Sequence, residues 1–75
     1  MSTQDLVMKL SEMYQQALKG EKSTMVHLFG VRYATEIRCS TASPKEIAQL
    51  ANISENYGVE INKGIKLSKY LVEKS

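Results

Sequence analysis

Ser43-Pro44-Lys45-Glu46-Ile47-Ala48-Gln49-Leu50-Ala51-Asn52-Ile53-Ser54-Glu55-Asn56-Tyr57-Gly58-Val59-Glu60-Ile61 is the stretch whose reading decides the fold. Its first four residues spell a helix start. The Ser43 hydroxyl can accept from the free amides of a first turn, Pro44 fits a position where no N–H is needed, and Glu46 can reach back to the Ser43 amide. The helix so opened is predicted from Pro44 to about Ala51, where Asn52 tolerates the left-handed conformation that ends it. Ile53 then points inward and Ser54 can cap again. A second helix is predicted from Glu55 to about Lys63, terminated by Gly64 with Ile65 in contact behind it.

Two short helices joined by a tight turn describe a helix-turn-helix unit over about residues 43–64. Ala48 is small where the second helix crosses, and Ile47, Ala51, Ile53 and Ile61 take the inward positions. Upstream, Leu6, Val7, Leu10, Met13, Tyr14, Ala17 and Leu18 follow helical spacing. They predict a helix from Gln4 to Leu18, capped by Ser2 or Thr3, with Asp5 in its first turn and Lys19-Gly20 at its end. The stripe Val26, Phe29, Gly30, Tyr33, Ala34 and Ile37 predicts one helix from Thr24 to Arg38. A strand over Met25 to Tyr33 competes on composition but lacks period-2 alternation. Downstream, Ile65, Leu67, Tyr70, Leu71 and Val72 predict a short closing helix whose last residues fray. The expectation is a single all-α domain over residues 1–75, built from four to five short helices.

A chain of 75 residues excludes a multi-domain enzyme, and 43% hydrophobic with 24% charged residues places it among folding sequences. The single cysteine, Cys39, forms no internal disulfide, and with the single histidine, His27, it cannot complete a zinc shell. His27, among apolar neighbours, reads as a satisfied core or interface residue. There is no Ser/His/Asp set, phosphate-binding glycine loop or acidic metal cluster, so no catalytic residue, cofactor, metal or small-molecule effector is expected. No leader or membrane-spanning run is apparent, which makes a reducing cytoplasm the expected location. Net charge is only +2, but residues 62–75 hold Lys63, Lys66, Lys69 and Lys74 against Glu73. That is a local +3 beside the second helix of the motif. Without disulfide or metal, a core of this size supplies roughly 3–5 kcal/mol, so a homodimer through the first helix or the C-terminal segment is expected to help.

Residues 42–65 resemble the helix-turn-helix of the phage-repressor and Cro-like (lambda-repressor-like) family. The resemblance rests on Ala42, the Ser43-Pro44-x-Glu46 start, Ile47-Ala48-x-x-Ala51-Asn52-Ile53 and Ile61. His27-Leu28-Phe29-Gly30-Val31-Arg32-Tyr33-Ala34, with Asn56-Tyr57-Gly58 and Lys63-Gly64, also looks like small bacterial HTH-like domain proteins of undefined role. The first resemblance implies a sequence-specific transcriptional regulator that binds double-stranded DNA, commonly as a twofold dimer. Carried over residue by residue, it nominates Ser54, Glu55, Asn56, Tyr57 and Glu60 for base reading. Asn56 is the foremost of these, because an amide can pair bidentately with adenine. Backbone contacts would fall to Ser43 and Lys45 and to Asn62, Lys63 and Lys66.

Two features depart from the family pattern. Gly58 stands where an inward Val or Ile is usual, a gap that Tyr57, a neighbouring helix or a closely approaching backbone would fill. Glu55 and Glu60 put negative charge on a helix meant to face phosphate. The reading from a different class is a non-enzymatic adaptor, binding another protein through this acidic helix and Val59.

Overall fold

The computed structural model describes residues 2–70, which form five helices and, among the described residues, no strand. These are α1 (Thr3–Gln16), α2 (Lys22–Arg32), α3 (Ala34–Cys39), α4 (Pro44–Leu50) and α5 (Tyr57–Leu67). The all-α expectation holds.

Serine caps start two of them. Ser2 Oγ accepts from the Asp5 amide at 3.1 Å while Asp5 Oδ2 accepts from the Ser2 amide at 3.3 Å. Ser43 and Glu46 make the same reciprocal pair, both bonds at 3.2 Å, ahead of Pro44. Each pair satisfies two amides that the helix itself leaves without partners. Ser43→Ala is expected to cost about 1 kcal/mol, since it removes a side-chain cap, read as a lower urea midpoint at unchanged slope.

Three predicted boundaries move. α1 stops at Gln16, so Ala17 is its C-cap and Leu18 lies beyond it, 69% exposed; the chain then turns through Gly20 at φ +87°. The predicted Thr24–Arg38 helix begins at Lys22 and is divided at Tyr33, which has φ −110° and ψ 23°. Helical bonding persists on both sides, from Tyr33 N to Phe29 O and from Ile37 N to Tyr33 O. The division is therefore a bend. It sets the Tyr33 ring against Phe29, ring centres 5.3 Å apart and tilted by 43°, and buries Ala34 and Ile37. The third change is in the second helix of the motif, which starts at Tyr57 and continues to Leu67. Residues 54–59 enter it through a tight turn, with the amides of Tyr57, Gly58 and Val59 donating to the carbonyls of Ser54, Glu55 and Asn56. Gly64 does not end it. Ile65 and Leu67 of the predicted closing helix are its last turn, while Leu71 and Val72 lie outside the described residues.

The core explains Gly64. Leu6, Leu10, Val26, Phe29, Ile47, Ala48 and Ile61 are fully buried, with Ile37 and Ala51 nearly so. α5 packs chiefly against α2 and then against α4. At the α2–α5 crossing, a Cβ on Gly30 would strike the Ile61 carbonyl, and one on Gly64 would strike the His27 carbonyl and come within 3.0 Å of Gly30 Cα. Two backbones touch there with no side chain between them. A glycine spent on that contact keeps right-handed geometry, and the helix runs on through it.

Candidate nucleic-acid interface

The turn between α4 and α5 is built from the residues the sequence singled out. Asn52 adopts φ +62°, and the Ile53 amide returns to the Ala48 carbonyl at 3.2 Å. Ala48 and Ala51 are buried under the crossing, and Ile53 is half-buried against the core. At Gly58 a closely approaching backbone takes the place of a side chain: a Cβ there would lie 2.9 Å from Lys45 Cα. The first turn of α5 therefore rests on the first turn of α4. Lys45 is held beside the start of α5 by its main chain, and its exposed side chain is left unburied.

Ile61 and Gly64 face inward on α5 with Gly58, so helical geometry turns Val59, Asn62, Lys63 and Lys66 outward, and all four are exposed. Ser54, Glu55 and Asn56 are exposed just before the helix. Ser54 Oγ accepts from the Asn56 amide at 3.3 Å, while the Asn56 side chain makes no capping bond. Ser54, Asn56, Tyr57 and Glu60 share a hollow of about 320 Å³ with Ser23 of α2. Glu55 instead accepts from Gln49 Nε2 at 2.8 Å across the turn. Lys63 and Lys66 line a second depression with His27, Leu67 and Tyr70, whereas Ser43 lies at the start of α4 and Asn62 lines neither hollow.

Two of the nominated residues are also held from behind. Tyr57 meets Tyr14 edge to face, ring centres 5.5 Å apart, and hydrogen bonding to Tyr14, with burial second, raises its phenol above the ordinary value. It is a neutral hydroxyl at neutral pH. Tyr14 also carries Lys22, whose Nζ donates to the Tyr14 carbonyl at 2.9 Å and lies 4.4 Å from the ring centre. Glu60 is half-buried, with Oε2 3.4 Å from His27 Nδ1 and Oε1 3.5 Å from Lys63 Nζ. Two negative charges on α5 and its approach thus have partners: an amide donor for Glu55, and an imidazole and an ammonium for Glu60.

Three contributors were not among the nominated DNA contacts. Val59 is 57% exposed at the centre of the outward stripe. Its signal was present, because apolar residues at 58, 61 and 65 leave 59 on the opposite side. Gln49 and Glu55 are six residues apart across a turn, a spacing with no periodic signature. His27 reads from sequence as a satisfied core or interface residue, and only the α2–α5 crossing shows that its partner is Glu60.

Among the described residues, no cluster of three or more His, Cys, Asp or Glu could hold a metal, and no helix is long and apolar enough to cross a membrane. Residues 2–74 match the protein family described as an HTH-like domain. Neither the curated proteins nor the solved structures give a match.

Proposed function

The chain belongs to the HTH-like domain family, and from that premise we propose that it is a small cytoplasmic DNA-binding regulator that reads the major groove with α5. One observation carries the reading: the outward stripe of α5 and its approach offer amide, hydroxyl and ammonium groups on a backbone fixed by the Gly58–Lys45 contact. In a repressor-like docking, Ser54, Glu55, Asn56, Tyr57 and Glu60 meet base edges, and Val59 meets a thymine methyl. Ser43, Lys45, Asn62, Lys63 and Lys66 hold the phosphates. A twofold dimer formed through α1 or the C-terminal segment would bring two copies of α5 to one duplex. On α1, Thr3, Gln4 and Val7 line a hollow of about 430 Å³ together with the exposed Leu50 of α4.

Fluorescence anisotropy tests this with labelled duplex from upstream of the protein's own gene and with scrambled duplex, each at two salt concentrations. Tighter binding to the upstream duplex that weakens as salt rises is the expected result. Asn56→Ala should lower affinity for the preferred duplex while leaving the unfolding midpoint unchanged, because its side chain caps nothing. Lys63→Ala should weaken every duplex alike and reduce the salt slope by about 1. Wild-type binding by both variants would remove α5 from the interface.

An adaptor is the second reading, favoured by the exposure of Val59 and by an apolar hollow of about 380 Å³ that includes Leu28, Val31 and Leu67. Partner binding there would be insensitive to salt, whereas phosphate contacts are not.

A further inference from the structure

We propose that His27 is a positioning residue for the reading helix: it holds Glu60 from α2, and its protonation makes DNA affinity rise as pH falls. The proposal rests on the DNA-binding reading above.

The geometry is a shared carboxylate. Glu60 presents one oxygen to His27 Nδ1 at 3.4 Å and the other to Lys63 Nζ at 3.5 Å, and the His27 and Glu60 side chains are 32% and 28% exposed. With a neutral imidazole, the trio of His27, Glu60 and Lys63 carries no net charge, and Lys63, a proposed phosphate contact, is shared with Glu60. A protonated imidazole takes the trio to +1. It compensates Glu60 from the α2 side and frees Lys63 for a phosphate.

The surroundings of His27 reinforce this. The charged and titratable groups facing it are Glu60, Lys63 and Lys66 of α5 and Tyr70 just beyond, with Ser23 and Thr24 as polar neighbours on α2. On the α1 side, Lys22 is engaged with Tyr14. Among the described residues lining these hollows, Glu60 is the one anion, and bound phosphate would be a second. Any protein–DNA complex that favours the imidazolium must bind more tightly as protons are supplied, by the reciprocity of linkage.

The sequence makes the test specific. His27 is the only histidine, and histidine is the side chain whose ordinary titration falls between about pH 5 and pH 8. Anisotropy titrations at fixed ionic strength, with a labelled mixed-sequence duplex that scores no base preference, compare about pH 7.5 with about pH 5.5. Wild type is expected to bind roughly three- to tenfold tighter at the lower pH, within the tenfold-per-unit ceiling of a single proton. His27→Gln should lose that dependence, which also separates the imidazole from the α-amino group. Glu60→Gln, which leaves His27 no carboxylate to hold, should show a smaller pH dependence than wild type on the same duplex.

A wild-type protein that binds with no pH dependence, or His27→Gln that keeps it, overturns the role of His27 and leaves DNA binding standing. A pH dependence in Glu60→Gln as large as in wild type overturns it as well. Absence of binding at both pH values overturns the DNA-binding reading along with it.

Discussion

Gly64→Ala is expected to destabilise the domain by about 2 kcal/mol, although alanine is the better helix former. The added methyl would meet the His27 carbonyl, the Val31 amide nitrogen at 2.9 Å and Gly30 Cα at 3.0 Å. All three are backbone atoms, so no rotamer change relieves the overlap and α2 must separate from α5. Overpacking of this kind costs about 3 kcal/mol at the upper end, and the higher propensity of alanine offsets about 1. For a domain of this length the thermal midpoint should fall by roughly 8–16 °C, followed by circular dichroism. A variant that melts at or above the wild-type temperature would show that the two helices do not touch through their main chains.

Ile61→Ala is expected to cost roughly 2–5 kcal/mol, because its side chain is fully buried and the cavity left behind can close only partly. That is as large as the roughly 3–5 kcal/mol a core of this size supplies. The variant should be substantially unfolded at 25 °C, seen as loss of the helical dichroism signal. Ile61→Val, which removes one methylene, should cost about 0.5–1.5 kcal/mol and keep the fold. A wild-type midpoint in Ile61→Ala would place α5 in a different rotational setting and its outward stripe elsewhere.

The parts of the fold written in local chemistry were legible in the sequence. The Ser43-Pro44-Lys45-Glu46 start needs only bonds within one helical turn, and the left-handed Asn52 needs only a short polar side chain. The bend at Tyr33 was not legible, since the stripe from Val26 to Ile37 keeps its period through it and the change involves the backbone of one residue. Gly64 misled for a related reason. A glycine that stops a helix and a glycine that lets two helices meet are the same letter, and the second role exists only with Gly30 opposite. At the candidate interface, the sequence ranked side chains by chemistry but could not show that Glu60 is held from α2 by His27, 33 residues away.

The four outward positions of α5 also have a practical meaning. Val59, Asn62, Lys63 and Lys66 lie outside the buried cluster that holds the domain together. Helix placement is set instead by Gly58, Ile61 and Gly64 on the inner side. A library randomised at those four sites should retain its melting temperature while its binding preferences diverge, which makes this chain a frame on which recognition can be rewritten without redesigning the fold.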